Sequence, residues 1–197
     1  MLTIITNQKK ERDVLVARPY LSRRTPYDTD ALLSCPQIKL ITGPRRTGKS
    51  TEAILMLKNK NFAYLNFDDG QLLSAWDENA VWQALQQVYP AFDYLLLDEV
   101  QNLDGWDLWV SKLYRNGINL VITGSNAKLL SSEMATLLTG RYIQVSMLPF
   151  SIDEFFAWHH LELKQLAPEQ TAQAEALQAD YLRNGGYPET VISRNIA

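Results

Sequence analysis

The sequence predicts an α/β fold, in which helices cover a parallel sheet. Three observations lead to this prediction. A short β-branched run, 38–42, is followed by a glycine-rich segment and then by a helical pattern, the order of a strand–loop–helix unit. A run of leucines between acidic residues, 93–99, is typical of a central parallel strand that is buried on both faces. Strand patterns at 61–67, 118–123 and 142–146 alternate with helical patterns along the rest of the core.

Composition bounds the class of protein. A chain of 197 residues suits one such domain with an appendage, and a net charge of −3 gives no global attraction to nucleic acid or membranes. The single cysteine, Cys35, excludes an internal disulfide framework and is consistent with a reducing cytosol. The N-terminus lacks the apolar core of a secretory signal, and no apolar run approaches the roughly 18 residues that cross a bilayer. We therefore expect a cytoplasmic protein that does not enter a membrane.

The glycine-rich segment matches the phosphate-binding pattern G-x-x-x-x-G-K-[ST] at every fixed position. In such loops backbone N–H groups surround phosphate oxygens, and the positive end of the following helix points at them. Lys49 is expected to reach the β- and γ-phosphates, and the Ser50 hydroxyl is expected to bind Mg²⁺. The residues expected to hold the nucleotide are Gly43, Pro44, Arg45, Arg46, Thr47, Gly48, Lys49, Ser50 and Thr51.

Two acids end the leucine-rich strand, at the edge where open α/β sheets bind their ligands. Asp98 is expected to belong to the Mg²⁺ shell. Glu99 is expected to orient or deprotonate the water that attacks the γ-phosphate. Asp68 and Asp69, which follow another strand, are a weaker alternative for the metal because paired carboxylates are common in plain turns.

Two further polar positions are candidates for contact with the γ-phosphate. The strand 118–123 is followed by Gly124, Ser125 and Asn126, and we favour Asn126 over Ser125 as the contact, the alternative being a simple helix cap. Arg141 lies between a helical pattern at 129–138 and the strand 142–146. It is a candidate for stabilising charge on the γ-phosphate, in its own subunit or in a neighbour's, and the alternative is an ordinary surface arginine.

The two ends of the chain differ from this core. At the start, the basic segment 9–24 has no aromatic stacking pattern, which favours a solvated helix face over a nucleic-acid surface. Val14, Leu15, Pro19, Tyr20 and Leu21 are also candidates for covering an adenine ring, since this segment leads into the loop strand. Near the end, Ser151 and Glu154 predict a capped helix over 152–160, and a polar helix follows at 168–182. We divide the chain into an ATPase core with a helical lead-in, 1–147, and a truncated helical lid or linker, 148–197.

Together these motifs resemble the prokaryotic AAA-like ATPases that carry a C-terminal restriction-endonuclease-like domain of uncertain role. The matching pieces are Gly-Pro-Arg-Arg-Thr-Gly-Lys-Ser (43–50), Tyr-Leu-Asn-Phe-Asp-Asp (64–69), Leu-Leu-Leu-Asp-Glu-Val-Gln (95–101), Thr-Gly-Ser-Asn (123–126), Leu-Thr-Gly-Arg (138–141), Leu-Pro-Phe-Ser-Ile-Asp-Glu-Phe (148–155) and Gly-Gly-Tyr-Pro-Glu (185–189). The resemblance implies a P-loop NTPase fold with five parallel strands in the order 5-1-4-3-2. It also implies ATP as the nucleotide, with no guanine motif in the chain, and a homo-oligomer as a candidate assembly.

Members of that family continue past Gly-Gly-Tyr-Pro-Glu into a winged-helix-like region and a second domain, so we expect a fragment or a naturally short form. The predicted function is Mg²⁺-dependent ATP binding and hydrolysis that drives a conformational change in a partner or in a missing domain. One alternative is a non-hydrolysing ATP-binding switch, which has no need of Glu99. Another is a DNA-associated ATPase, which the basic segment 9–24 and the resemblance suggest.

Overall fold

The computed structural model describes residues 1–21, 23–125, 138, 140–163 and 167–194. Five strands form one sheet in which every neighbouring pair is parallel. They are β1 (Ile38–Gly43), β2 (Phe62–Asn66), β3 (Tyr94–Asp98), β4 (Leu120–Ser125) and β5 (Tyr142–Ser146). Their order is β2-β3-β4-β1-β5, with β4 between β1 and β3. The predicted α/β fold and strand order are confirmed.

The helices of the described residues follow the same alternation with the strands. In chain order they are α1 (Leu2–Ala17), α2 (Thr29–Ser34), α3 (Lys49–Leu57), α4 (Gly70–Ser74), α5 (Glu78–Val88), α6 (Trp106–Arg115), α7 (Ile152–Trp158), α8 (Thr171–Asn184) and α9 (Pro188–Arg194). None of them is long and apolar enough to cross a membrane. The helix predicted over 129–138 lies outside the described residues, apart from its last position.

The central strands are leucine-rich because both of their faces are buried. Along β3, Leu95 and Leu97 belong to one apolar core, and Leu96 belongs to a second core on the other face. The first core includes residues of α1, α5 and α6, and the second includes residues of α2 and α3. Full burial of one leucine side chain contributes roughly 1.5–3 kcal/mol. The same packing brings the carboxyl ends of β1, β3 and β4 to one edge of the sheet.

Two predicted helices are shorter than their sequence patterns. The pattern over 71–90 is broken as expected, because Asp77 accepts a hydrogen bond from the Ala80 N–H at 2.7 Å and caps α5. The helix expected from Gln101 begins only at Trp106, since a 3₁₀ turn, Val100–Asn102, and a bend precede it.

The basic N-terminal helix is used inside the fold. Lys9 donates to the Val88 carbonyl at 2.9 Å, and Arg12 donates to the Phe62 carbonyl. The Arg12 guanidinium also lies 4.9 Å from the centre of the Tyr89 ring. The expectation of a solvated basic face was therefore wrong for these two residues, which anchor α1 to the sheet and to α5.

The C-terminal helices form a small apolar core of their own around Phe150 and Phe155, and Leu21 of the N-terminal segment packs against it. Ser151 and Glu154 make the predicted capping box at the start of α7. A Cβ on Gly186 would lie 2.2 Å from the Phe150 carbonyl oxygen, so glycine is required where these two segments meet. The residues after this turn form α9, which was not predicted as a helix.

Candidate functional site

The loop between β1 and α3 has the backbone geometry of an anion site. Arg46 and Gly48 adopt left-handed conformations, with φ of 68° and 89°. Turns that mix right- and left-handed residues make concave surfaces of N–H groups that bind anions. A Cβ on Gly43 would lie 2.1 Å from the carbonyl oxygen of Met147, the residue after β5. The loop therefore starts at a position that only glycine can occupy.

Lys49, the first residue of α3, is buried against this loop with 4% of its surface exposed. Its ammonium donates to the Pro44 carbonyl at 3.1 Å. It also lies 3.6 Å from Oε1 of Glu99, beyond direct hydrogen-bond distance. The lysine therefore presents a buried positive charge at the loop that is only partly neutralised.

Asp98, at the end of β3, is buried among hydroxyl groups. The Thr123 hydroxyl donates to Oδ1, and the Tyr64 hydroxyl lies 3.3 Å from Oδ2. Burial raises the pKa of Asp98 above its usual value, although hydrogen bonds from Thr123 and Ser50 act in the opposite direction. A carboxylate with this balance is destabilised, so a cation placed beside it would stabilise its charged form.

The residues predicted to hold Mg²⁺ suit that ion. The Ser50 hydroxyl is near enough to the Asp98 carboxylate to lower its pKa, so the two candidate oxygen ligands are neighbours at the foot of the loop. Mg²⁺ is held by one or two carboxylates together with substrate phosphates and water, so it requires no larger protein cage. Within the described ranges, no three His, Cys, Asp or Glu side chains are grouped to hold a metal.

The alternative acids of the β2 turn have structural partners. Asp69 accepts a hydrogen bond from the Gln71 N–H at 2.9 Å and caps α4. Asp68 accepts a hydrogen bond from the Asn102 side chain at 2.7 Å. These contacts account for both carboxylates without a metal.

Glu99 follows β3 in a left-handed conformation, with φ of 52°. Its N–H donates to the Thr123 hydroxyl at 3.0 Å, and its Oε2 accepts a hydrogen bond from the Gln101 side chain. Its other oxygen, Oε1, is the one near Lys49. The Glu99 side chain keeps 20% of its surface exposed, so water can reach it beside the loop.

The sequence prediction missed Thr123. Its single hydroxyl donates to Asp98 and accepts from the Glu99 N–H, so it joins both acids. A polar residue in the buried strand β4 was the available signal, but the prediction considered only the residues beyond it. Ser125 pairs with Gly43 in the sheet, which places this strand end beside the loop. The preferred candidate, Asn126, lies outside the described residues.

Arg141 does not lie at the loop of its own chain. Its carbonyl accepts a hydrogen bond from the Ile38 N–H at 2.8 Å, at the amino end of β1. The loop is at the other end of that strand, about 17 Å away at the usual rise per residue. The Arg141 guanidinium instead contacts the Ser111 hydroxyl of α6, at 3.4 Å. Of the two alternatives predicted, this position does not favour action in its own subunit, because Arg141 precedes β5 and β5 runs parallel to β1.

An apolar cavity of about 260 Å³ lies beside the loop. It is bordered by the N-terminal segment, the start of α3 and the C-terminal helices. Its lining residues are Pro19, Tyr20, Leu21, Arg23, Thr47, Gly48, Thr51, Glu52, Phe150, Trp158, Pro188 and Ile192. Of the residues proposed from the sequence to cover a base, Pro19, Tyr20 and Leu21 border this cavity. Val14 is exposed and Leu15 packs against the second core instead.

Arg23 joins the loop to the C-terminal helices. Its guanidinium donates to the Thr47 carbonyl at 3.2 Å, to the Leu148 carbonyl at 2.9 Å and to Glu154 at 2.7 Å. Although burial raises the pKa of Glu154, the hydrogen bonds from Arg23 and from the Ser151 N–H outweigh it and lower that pKa. No local pattern marks Arg23 in the sequence, because all of its partners are remote.

The two loop arginines extend towards α9. Arg46 lies 3.1 Å from Glu189, but 68% and 60% of these side chains are exposed. Exposed pairs of this kind contribute little to stability. Arg45 lines an open cleft between the loop and α9. Within the described residues Arg46 pairs with Glu189 rather than with the acids at the end of β3, and both arginines remain predicted nucleotide contacts.

Sequence comparison finds long relatives of this chain. It is 34% identical over 170 residues to an uncharacterised protein of Haemophilus influenzae, covering 79% of this chain and 40% of that protein. It is 33% identical over 171 residues to an uncharacterised protein of Methanocaldococcus jannaschii, covering 84% of this chain and 38% of that one. The chain thus spans about two fifths of the length of these relatives.

Structural comparison finds the same fold in more distant proteins. Aquifex aeolicus DnaA bound to AMPPCP has a TM-score of 0.52 and 20% identity, covering 84% of this chain and 56% of DnaA. The Saccharomyces cerevisiae Hsp104–ADP complex has a TM-score of 0.55 and 14% identity, covering 81% of this chain and 27% of Hsp104. Likeness at these identities shows a shared fold alone.

A family model described as an AAA domain matches residues 36–156, which include all five strands and the loop. This match covers more than half of the sequence. The chain therefore belongs to the AAA domain family of P-loop ATPases.

Proposed function

We propose that this chain binds ATP with Mg²⁺ at the loop between β1 and α3 and hydrolyses it. The observation that carries the proposal is the meeting of Lys49, Asp98 and Glu99 at one edge of the sheet, with Lys49 Nζ 3.6 Å from Glu99 Oε1. Transfer of a phosphoryl group to water needs a cation for the phosphates, an acid for the metal and a group that orients the water. These three side chains are suited to those three roles.

Each residue then has a defined part in the reaction. Lys49 and the loop N–H groups bind the β- and γ-phosphates. Ser50 and Asp98 are the residues that would hold Mg²⁺, which neutralises phosphate charge when it is bound. Glu99 accepts a proton from the attacking water as its oxygen bonds to the γ-phosphorus. The bond from that phosphorus to the bridging oxygen breaks, and ADP leaves with the bridging oxygen.

The apolar cavity beside the loop is the proposed site of the adenine ring. Ligand pockets are typically lined by apolar and aromatic groups, as this one is by Pro19, Tyr20 and Trp158. The likeness to DnaA bound to AMPPCP and to the Hsp104–ADP complex supports an adenine nucleotide. Competition of ATP and GTP for a fluorescent nucleotide tests this assignment, and equal affinities would contradict it.

Phosphate release tests the proposed hydrolysis. We expect release from ATP and Mg²⁺ by the wild-type chain and its loss in both Lys49→Ala and Glu99→Gln, while Glu99→Gln still binds ATP. Turnover by Glu99→Gln equal to that of the wild type would exclude Glu99 as the base. Nucleotide binding that only Lys49→Ala abolishes, with no release by any variant, would support the non-hydrolysing switch instead.

Arg141 is proposed to act in a neighbouring subunit. It lies away from its own loop, and phosphoryl-transfer enzymes often receive such an arginine from another molecule. Mixing two inactive variants, Arg141→Ala and Lys49→Ala, then creates sites that contain Lys49 and a neighbour's Arg141. We expect the mixture to regain phosphate release. Full activity of Arg141→Ala alone would contradict this role.

The contacts of Arg23 and Arg46 with the C-terminal helices are the proposed route by which nucleotide state reaches a partner. Arg23 touches the loop and pairs with Glu154 of α7. Arg46 belongs to the loop and pairs with Glu189 of α9. Protease sensitivity of the segment 148–194 with and without ATP tests this route. Identical cleavage in both states would count against it.

A further inference from the structure

The 3₁₀ turn that follows Glu99 carries a side chain to which no role has been assigned. Gln101 donates a hydrogen bond from Nε2 to Oε2 of Glu99. The other carboxylate oxygen, Oε1, lies 3.6 Å from Lys49. Each oxygen of Glu99 therefore has its own neighbour, an amide on one side and an ammonium on the other.

The other half of the Gln101 amide has no such partner. Its Oε1 is buried and accepts no hydrogen bond from any residue in the described part of the chain. A buried acceptor without a donor lowers stability. The amide is thus oriented so that its N–H group bonds to Glu99 while its oxygen stays without a donor. This unfavourable orientation indicates that the Nε2–Oε2 contact has a function.

The backbone at Glu99 supports the same interpretation. Its φ of 52° places a residue other than glycine in the left-handed region, which is uncommon and costs free energy. The Thr123 hydroxyl accepts the Glu99 N–H in this conformation. Strained conformations that are held by their surroundings are frequent where a side chain must point in one direction.

Binding of phosphate changes this arrangement on one side only. A phosphate that reaches Lys49 takes up the ammonium that now faces Glu99, so the carboxylate keeps only its amide neighbour. An amide donor orients a carboxylate without cancelling its charge, which a cation in the same place would do. A general base needs a free oxygen that is aimed at its water.

We propose that Gln101 is a positioning residue for Glu99: its Nε2 holds Oε2, so that Oε1 stays aimed at the water beside the γ-phosphate. This inference rests on the proposed hydrolysis of ATP. It assigns Gln101 no contact with the nucleotide, so its effect must pass through Glu99.

The test compares two matched variants of the same turn. Gln101→Met removes the amide and keeps the side-chain length, and Asn102→Leu removes the neighbouring amide, whose contacts are with the Phe67 carbonyl and Asp68. For each variant, kcat and KM are measured with ATP and Mg²⁺, and ATP affinity is measured separately. The double variant Glu99→Gln with Gln101→Met completes a cycle.

We expect Gln101→Met to lower kcat by about 10- to 100-fold, which is the usual loss of rate when a catalytic group is misplaced. ATP affinity should stay close to that of the wild type. Asn102→Leu should retain kcat, and the double variant should be no slower than Glu99→Gln alone. A kcat of Gln101→Met equal to that of Asn102→Leu would overturn the proposal. Losses that multiply in the double variant would overturn it as well, because Gln101 would then act independently of Glu99.

A wild-type chain that binds ATP without hydrolysing it would refute the proposed function rather than the contact. Urea unfolding of the four proteins of the cycle (the wild type, Glu99→Gln, Gln101→Met and the double variant), without nucleotide, then tests the contact itself. Non-additive shifts of the midpoint for Glu99→Gln and Gln101→Met would retain the orientation of Glu99 by Gln101. Additive shifts would overturn it.

Discussion

Two buried groups of charges flank the same loop, and they differ in how well their charges are satisfied. At the end of β3, Lys49 has a carbonyl at 3.1 Å and a carboxylate oxygen at 3.6 Å, and burial raises the pKa of Asp98. At the junction with α7, Arg23 donates to three carbonyls and to Glu154, whose pKa is lowered. The charges of the second group have closer and more numerous partners than those of the first.

This difference separates a binding site from a structural contact. Removing a charge from water costs free energy, which hydrogen bonds and opposite charges offset only when the geometry is good. Arg23 and Glu154 meet that condition, so they stabilise the fold. The charges of Lys49 and Asp98 are poorly compensated by the protein. A ligand that brings phosphate and a cation therefore binds favourably, because it supplies the opposite charges that these side chains lack. Substitutions in the first group should therefore weaken ligand binding with little loss of stability, whereas substitutions in the second group should lower the stability of the fold.

The largest expected effect is the loss of nucleotide binding in Lys49→Ala. Charge-assisted hydrogen bonds to phosphate contribute about 1.5–3 kcal/mol each, so we expect ATP affinity to fall roughly 100-fold. The stability of the nucleotide-free chain should hardly change. Lys39→Met is the matched control, since that buried lysine donates to the Cys35 carbonyl and to Asn119 at the other end of β1. Equal ATP affinity in both variants, measured by fluorescence titration, would contradict the distinction.

The second effect is on the fold, in Arg23→Leu. Removing one partner of a buried ion pair typically costs about 3–5 kcal/mol, and 12% and 7% of these two side chains are exposed. Urea unfolding measures this cost. Arg24→Gln is the control, because the Arg24–Asp153 pair is largely exposed and should contribute little. A similar small change in both variants would show that the Arg23 contacts are not structural.

A smaller effect of opposite sign is expected for Asp98→Asn. Burial raises the pKa of Asp98 above 3.8, so the folded chain binds a proton more readily than the unfolded chain. Its ionisation therefore lowers stability as the pH rises above 3.8, and the neutral amide avoids this loss. We expect Asp98→Asn to raise the thermal midpoint of the nucleotide-free chain at neutral pH. It should also abolish the further rise caused by ATP with Mg²⁺, and a lower midpoint without nucleotide would refute the argument.

The smallest effect is the acid dependence carried by Glu154. Its pKa is lowered from 4.5, so the ionised form stabilises the folded chain fully above that pH. This contribution is lost as the pH falls below 4.5 and through the lowered pKa. The difference in unfolding free energy between the wild type and Glu154→Gln should therefore shrink over this range. A difference that stays constant from neutral to acid pH would exclude a role for the charge.

Much of the candidate site was predictable because it depends on sequence order and strand direction. Lys49 comes after β1, Asp98 ends β3 and Glu99 follows it, and parallel strands bring their carboxyl ends to one edge. The same rule explains why Arg141, which precedes its strand, lies at the opposite edge from the loop of its own chain. Thr123 was overlooked because its role depends on contacts with two acids of a neighbouring strand.

Local sequence pattern thus establishes the strands, the loop and the acids that end β3, because hydrophobic periodicity and glycine spacing act over a few residues. The partners of each charge depend on segments that are far apart in the chain. Arg23 meets Glu154, and Thr123 joins the two acids, only after the sheet and helices have packed. Packing therefore decides which buried charges are satisfied and which remain available for a ligand, since the free energy of a buried charge is set by all the groups around it.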